Sequence, residues 1–113
     1  MDNNSSVYLC GSFRHLDMMT SLFEKLQSQG ITCTMPVPDS PKGISGCLEQ
    51  IKNANITYVI NPDGYIGKSV SVDIGYALAL GKKVYSLAPI EDPPVGHLIS
   101  GVASMEEIAV LSS

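Results

Sequence analysis

The chain has 113 residues, of which 44% are hydrophobic and 16% are charged. This length suits one domain with a buried core and is too short for two, so a single domain over residues 1–113 with one main site is expected. The formal net charge is −4 and only seven lysines and arginines are present, which argues against nucleic-acid binding because phosphate-backbone contacts need clustered positive charge. No apolar run approaches the roughly 20 residues that span a bilayer, and residues 1–6 form a polar, flexible lead, so a cytoplasmic protein without a membrane partner is predicted.

The first half of the chain alternates strand and helix patterns. Residues 7–10 form a short apolar run closed by Gly-Ser, which predicts a strand. Helical spacing of apolar residues follows over residues 16–29, and residues 31–35 predict a second strand before a loop with three prolines, Pro38 among them. Ser45 is the predicted N-cap of a helix that ends near residue 53.

The second half continues the alternation. Residues 56–60 are β-branched and aromatic without polar alternation, the pattern of a central strand covered on both faces. A turn-rich loop over residues 61–67 precedes a helix that ends at Gly81. Residues 84–87 predict a fourth strand and residues 97–102 a fifth, and a capping-box pattern at residues 104–107 opens a last helix.

Strands that alternate with helices in this way describe βαβ units with right-handed crossovers. The predicted fold is therefore α/β, a single doubly wound (flavodoxin-like or Rossmann-like) domain with a parallel sheet of four to five strands and helices on both faces. Such sheets bind ligands at the carboxyl ends of their strands, where the strand order reverses. In this chain those ends are residues 11–12, 61–63 and 88–89.

The loop after the first strand has the composition of an anion site. It contains Gly11, Ser12, Phe13 and Arg14, so free backbone N–H groups, a hydroxyl and a guanidinium can face a phosphate or carboxylate. The spacing is neither GxGxxG nor a Walker A loop, so no dinucleotide or ATP cofactor is predicted. A tight turn with an exposed arginine is the alternative interpretation, and His15 is expected at the surface.

Residues 61–77 bring two carboxylates to the same end of the predicted sheet. Asp63 lies on the loop and Asp73 in the first turns of the next helix. Ser69 and Ala77 lie four residues to either side of Asp73, so small side chains share its helix face and leave room for a ligand. The alternative is a structural aspartate stabilised by the helix dipole.

The cysteines carry a weaker signal. Cys10, Cys33 and Cys47 show no CxxC spacing, and no metal site is predicted. Free cysteines are among the most buried residue types, so we interpret them as reduced and mostly buried, with a catalytic thiol as the less favoured alternative.

Two motifs together resemble a known family. Residues 7–14 (VYLCGSFR) resemble the opening strand of the nucleoside 2-deoxyribosyltransferase superfamily, nearest its 2'-deoxynucleoside 5'-phosphate N-hydrolase branch, in which Tyr-x-Cys-Gly-Ser-x-Arg is typical. Residues 71–77 (SVDIGYA), followed by residues 80–85 (LGKKVY), resemble the Glu-x-Gly-x-Ala element and the Gly-Lys-x-Val strand of that family. The motifs occur in the same order as in the family and span most of the chain.

The resemblance implies cleavage of the N-glycosidic bond of a (deoxy)nucleoside 5'-monophosphate, with transfer of the deoxyribosyl group to another base as a further possibility and without a metal or cofactor. By the resemblance, Asp73 occupies the position of the nucleophile, Tyr8 stands near the sugar and the nucleophile, and Asp63 or Asn61 stands near the leaving base or the sugar hydroxyls. Ser12 and Arg14 stand near the 5'-phosphate. The full predicted substrate-binding set is Gly11, Ser12, Phe13, Arg14, Asn61, Gly67, Ser69 and Ser71.

The resemblance also implies a homodimer or larger homo-oligomer, because family members commonly border their pockets with a neighbouring subunit. The family's nucleophile is normally Glu, whereas this chain has the shorter Asp73, so a second hypothesis is a module that binds or senses a nucleotide without turning it over. A third, a receiver or protein-interaction domain of the flavodoxin type, is less favoured because the acidic pair expected at the end of the first strand is missing.

Overall fold

The structure, a computed structural model, describes residues 6–37 and 41–112. Strands and helices alternate along these residues, as the sequence patterns predict. A short 3-10 helix, Phe13–His15, lies between the first strand and the first helix. The elements are β1 (Ser6–Gly11), α1 (Leu16–Ser28), β2 (Thr32–Thr34), α2 (Gly43–Asn53), β3 (Ile56–Ile60), α3 (Lys68–Ala79), β4 (Lys83–Ser86), α4 (Pro93–Gly96), β5 (Gly101–Val102) and α5 (Met105–Leu111).

The five strands form one parallel sheet in the order β2-β1-β3-β4-β5. The chain runs outward from β1 to β2 and then returns to the other side of β1 to form β3. The strand order therefore reverses between β1 and β3, which pair from Val7 with Ile56 to Gly11 with Ile60. This is the flavodoxin-like arrangement of a doubly wound sheet, and it confirms the predicted fold class.

Helices cover both faces of the sheet, because neighbouring side chains of a strand point in opposite directions. Leu9 packs with buried residues of α1 and α5 on one face, whereas Tyr8 packs with buried residues of α2 and α3 on the other. All five residues of β3 are buried, which confirms its prediction as a central strand. The two hydrophobic clusters hold the carboxyl ends of β1 and β3 side by side.

Ser45 is not the N-cap of α2, which corrects the sequence prediction. The helix begins at Gly43 with Lys42 at the cap position, and the Ser45 hydroxyl instead donates a hydrogen bond to the Lys42 carbonyl, 2.8 Å away. The Ser45 side chain therefore bonds back to the turn before it, which serine also does inside helices.

The fifth strand is shorter than predicted, and the first strand begins one residue earlier, inside the predicted lead. Residues 97–100 form turns and bends instead of a strand, because the N–H groups of His97 and Leu98 donate to carbonyls of the short helix α4. Ser6 pairs with Thr32 and so belongs to β1 rather than to the lead. Residues 1–5 and Pro38 lie outside the described residues.

The capping box that opens α5 is confirmed. The backbone N–H of Glu107 donates to the Ser104 hydroxyl at 3.1 Å, and the Ser104 N–H donates to the Glu107 carboxylate at 2.8 Å. No helix in the described part of the chain has both the length and the apolar character needed to cross a membrane.

Candidate active site

A cavity of about 490 Å³ lies at the carboxyl ends of β1 and β3, next to the point where the strand order reverses. Its walls come from the β1 end, the residues after β2, the first turns of α2 and the start of α3. Asp73 and Lys68 are the two charged residues among those that line it. The lining residues are Gly11, Ser12, Phe13, Pro36, Val37, Gly43, Cys47, Tyr65, Gly67, Lys68, Ser69, Val70 and Asp73.

The β1 wall depends on a close approach between two strands. A Cβ on Gly11 would lie 2.8 Å from the Ile60 carbonyl oxygen, so only glycine fits where β1 and β3 end side by side. Ser12 follows, and its hydroxyl accepts a hydrogen bond from the Arg14 N–H at 3.4 Å. The structure thus places Gly11, Ser12 and Phe13 along the cavity wall.

Asp73 is a buried carboxyl group in the cavity. It lies in the second turn of α3 and is 6% exposed. Burial disfavours its charged form and raises the pKa of Asp73 to about 6, while the nearby Tyr8 hydroxyl acts in the opposite direction. A carboxyl group that titrates close to neutral pH in a cavity is a typical feature of a functional site.

Tyr8 lies beneath Asp73 on β1 and is fully buried. Its hydroxyl meets no partner at hydrogen-bonding geometry among the described residues. Burial, the Cys47 thiol and the Asp73 charge all raise the pKa of Tyr8 far above its usual value, so the hydroxyl keeps its proton. A buried hydroxyl without a partner costs about 1–3 kcal/mol, and such groups call for an explanation that is often functional.

Arg14 and Asp63 form an ion pair beside the cavity. The Arg14 Nη2 and Asp63 Oδ2 atoms are 2.6 Å apart, and both side chains are about half exposed. The guanidinium also lies over the Tyr65 ring, 5.5 Å from its centre. Neither Arg14 nor Asp63 lines the cavity, but Tyr65 does, so the pair lies next to the cavity rather than inside it.

Two predicted binding residues have structural partners instead of a place in the cavity wall. The side-chain amide of Asn61, which is 1% exposed, donates to the Ala88 carbonyl and accepts from the Ala88 N–H, both at 3.0 Å. This pair ties the β3 end to the β4 end. The Ser71 hydroxyl donates to the Gly67 carbonyl at 2.8 Å. Gly67 and Ser69 line the cavity.

Several lining residues are not among those predicted from the sequence. Tyr65 and Lys68 flank Gly67, and an aromatic and a cation beside a glycine in a loop at a strand end were a usable signal for them. Pro36 and Val37 follow β2 and so lie at the same edge, because the carboxyl ends of parallel strands meet there, whereas Gly43 reaches the cavity as the first residue of α2. Cys47 is half-buried in the wall, whereas Cys10 and Cys33 are buried in the core.

The described residues contain no group of three or more histidine, cysteine, aspartate or glutamate side chains placed to hold a metal ion. The polar side-chain groups of the cavity wall are the Asp73 carboxyl, the Ser12, Ser69 and Tyr65 hydroxyls, the Cys47 thiol and the Lys68 ammonium. This set suits a small organic ligand that carries an anionic group.

No protein-family model and no curated relative matches the sequence. Among solved structures, a 2-deoxyribosyltransferase from Bacillus psychrosaccharolyticus is similar, with a TM-score of 0.65 and 20% identity over 92% of this chain and 90% of that one. A conserved protein from Enterococcus faecalis has a TM-score of 0.76 and 15% identity over 97% and 98% of the two chains. The CMP N-glycosidase BcmB of Clostridium botulinum has a TM-score of 0.61 and 15% identity over 94% and 96%.

These identities are low, so the comparisons establish the fold and leave the activity open. The similarity covers nearly the whole of each chain, which means that the sheet and its helices correspond as a unit. The chain has the fold of a 2-deoxyribosyltransferase and of a CMP N-glycosidase, which supports, at the level of the fold, its resemblance to the nucleoside 2-deoxyribosyltransferase superfamily.

Proposed function

We propose that the protein cleaves the N-glycosidic bond of a (deoxy)nucleoside 5'-monophosphate, with Asp73 as the nucleophile. The observation that carries this proposal is the buried Asp73 carboxyl group in a cavity at the point where the strand order reverses. Two structural neighbours are named as a deoxyribosyltransferase and a CMP N-glycosidase, which supports cleavage or transfer at an N-glycosidic bond in general.

The reaction proceeds in two displacements at the anomeric carbon of the sugar. A carboxylate oxygen of Asp73 attacks this carbon, the bond to the base nitrogen breaks, and the electron pair leaves with the base, which takes a proton from solvent. Water then attacks the same carbon of the glycosyl ester, loses a proton to solvent, and regenerates the Asp73 carboxylate. A second base in place of water gives transfer.

Tyr8 positions the nucleophile in this proposal. Its hydroxyl is protonated, buried and close to Asp73 and Cys47. A hydroxyl donor at this place can hold the carboxylate in one orientation or bond to a sugar oxygen once a substrate is bound. Such positioning matters because small errors in the placement of a nucleophile cost orders of magnitude in rate.

The 5'-phosphate lies between the β1 wall and the start of α3 in the proposed complex. Ser12 and Arg14 provide a hydroxyl and a guanidinium, and Ser69 lies in the first turn of a 12-residue helix whose N-terminal N–H groups favour anions. Phe13 and Tyr65 are large, half-exposed aromatic rings of the cavity wall and suit contact with a planar base.

A nucleotide-binding module without turnover is the alternative proposal. The feature that favours it is the side chain of Asp73, which is one methylene shorter than the glutamate of the resembling family. Binding would then use the same anion groups, and the buried carboxyl would contact the sugar without attacking it.

Base release from purified protein tests the proposal. The protein is incubated with each common ribonucleoside, deoxyribonucleoside and 5'-monophosphate, and free base is measured by chromatography. We expect release from a monophosphate, a loss of at least about a thousandfold in Asp73→Asn, and a KM for the monophosphate about tenfold higher in Arg14→Ala.

Asp17→Asn is the matched control, because Asp17 is an exposed aspartate of α1 that does not line the cavity. Its base release should equal that of the unaltered protein. Saturable monophosphate binding without base release, weakened in Arg14→Ala, would favour the binding module over the enzyme. If the protein neither releases base nor binds a monophosphate, the hypothesis of a nucleotide ligand is contradicted.

A further inference from the structure

We propose that Asp63 is a specificity-determining residue that competes with the ligand's phosphate for Arg14, so that a phosphomonoester dianion is bound only by displacing the Asp63 carboxylate. The inference rests on the proposed function, because it takes the phosphate to bind at Arg14. In this inference Asp63 acts on the phosphate-binding arginine, whereas the family resemblance implies that it contacts the leaving base or the sugar hydroxyls.

The ion pair joins the two strand ends between which the sheet order reverses. Arg14 follows β1 and Asp63 follows β3, and the atoms Nη2 and Oδ2 are 2.6 Å apart. Both side chains are about half exposed, at 54% and 48%, so a ligand in solution can reach them. Tyr65 links the pair to the cavity, because its ring lies under the guanidinium and also lines the cavity wall.

The Asp63 carboxylate is held in place independently of Arg14. Its Oδ1 atom accepts the backbone N–H of Tyr65 at 3.2 Å, and this bond, followed by the charge of Arg14, lowers the pKa of Asp63. The loop itself is constrained at Gly64, where φ is +82° and a Cβ would lie 2.9 Å from the Pro89 carbonyl oxygen. Asp63 is therefore a preformed, ionised partner that occupies the guanidinium before any ligand arrives.

The physical consequence is that Asp63 lowers the affinity for a phosphate and so limits the preference for a phosphorylated ligand over a neutral one. A phosphomonoester carries close to two negative charges at neutral pH and three terminal oxygens, so it can replace a single carboxylate on a guanidinium. A neutral nucleoside gains nothing from this exchange. Because the displaced carboxylate stays nearby, it repels the bound phosphate and weakens its binding, and this penalty disappears when the carboxylate becomes an amide.

Asp63→Asn tests the inference by calorimetric titration at fixed salt. The asparagine keeps an oxygen acceptor for the Tyr65 N–H, so the loop retains its bond. The probes are inorganic phosphate, each common nucleoside 5'-monophosphate and the matching nucleosides. We expect the Kd values of phosphate and of the bound monophosphate to fall by roughly three- to tenfold, and nucleoside binding to stay unchanged.

Two controls separate this effect from a general change of charge. Asp17→Asn removes the same charge three residues from Arg14, at an exposed position without an ion pair among the described residues, and should change these Kd values less than about twofold. In an Arg14→Ala background, Asp63→Asn should have no effect, because the competition needs both partners.

Unchanged or weaker phosphate and monophosphate binding in Asp63→Asn overturns the inference, and so does the absence of phosphate and monophosphate binding in both proteins. If Asp63 instead acts on the base or the sugar, Asp63→Asn lowers turnover and nucleoside binding as well. Tighter phosphate binding together with no base release from any substrate leaves the inference standing while the proposed reaction fails.

Discussion

Asp73 lies where an ionised carboxylate is costly, and this cost has consequences for both activity and stability. The side chain is 6% exposed, and its position on α3 directs it toward the cavity and the buried Tyr8. In the proposed mechanism only the carboxylate is a nucleophile. If the mechanism holds, the pKa of about 6 should therefore set the pH dependence of base release.

Base release should depend on pH through the ionisation of Asp73. Below pH 6 the protonated form predominates, so we expect kcat/KM to rise about tenfold per pH unit and to level off above about pH 7. Initial rates between pH 4.5 and 8.5 measure this profile. A rate that is constant between pH 5 and pH 7 would contradict the role of Asp73 as the ionised nucleophile.

Replacing Asp73 by asparagine should stabilise the protein at neutral pH. The folded-state pKa of about 6 exceeds the unfolded value of about 3.9, so the folded protein binds more protons between these values and the free energy of unfolding falls as the pH rises through this window. Asparagine has no charge to bury. We expect Asp73→Asn to be more stable by about 2 kcal/mol at pH 7.5 in urea unfolding, and about equal to the unaltered protein at pH 4.

The exposed Asp17 provides the comparison for this prediction. Asp17→Asn should show no such gain at pH 7.5, because an exposed carboxylate loses no hydration on folding. A stability difference for Asp73→Asn that is the same at pH 4 and pH 7.5 would show that burial of the charge is not its cause.

At the scale of elements, the site depends on how closely β1 and β3 approach at their ends. Gly11 pairs with Ile60 and leads directly into the loop that carries Ser12 and Arg14. Any side chain at Gly11 would push these two strand ends apart. The separation of the two strand ends therefore affects both the stability of the sheet and the shape of the cavity.

Gly11→Ala should destabilise the protein by about 1–3 kcal/mol in urea unfolding, because the new methyl group would lie 2.8 Å from the Ile60 carbonyl oxygen. Gly75→Ala in α3 is the matched control. A Cβ there meets nothing within 4 Å, and alanine favours a helix, so this variant should be about 0.5–1 kcal/mol more stable. Equal effects of the two substitutions would contradict the close approach at Gly11.

At the scale of the whole molecule, the cavity opens beside a group of exposed apolar side chains. Phe13, Val37 and Tyr65 all line the cavity and are 49%, 63% and 52% exposed. A second copy of the chain could cover them and complete the wall around a ligand. The homo-oligomer expected from the family resemblance therefore stays a prediction, with this face as its candidate interface.

Sedimentation equilibrium at micromolar concentration tests this assembly. We expect a dimer or a larger oligomer, and Val37→Glu should shift it toward monomer because a charge would be buried at the interface. Val110→Glu, a substitution of a similarly exposed valine on α5, should leave the assembly unchanged. Only monomer in the unaltered protein would contradict the prediction.

Much of the fold was predictable because it depends on local patterns. The β-branched and aromatic run of β3, the helical spacing in α1 and the capping box at Ser104 each determine an element without reference to the rest of the chain. Their alternation is sufficient for a parallel, doubly wound sheet. The predictions of the α2 N-cap and of the extent of β5 were wrong. Ser45 and His97 donate hydrogen bonds to carbonyls of neighbouring turns, and hydrophobic periodicity does not reveal these turns.

The candidate site was predictable only in part. The sequence by itself determined that Gly11, Ser12 and Asp73 lie at one edge of the sheet, since strand ends of a parallel sheet meet there. Only the tertiary structure decided that the Asn61 side-chain amide is hydrogen-bonded to the Ala88 backbone and that Arg14 is paired with Asp63. It also decided that Cys47 and Tyr65 complete the wall of the cavity. The physical reason is that periodicity and turn chemistry determine which edge a residue reaches, whereas its partners depend on packing between distant segments.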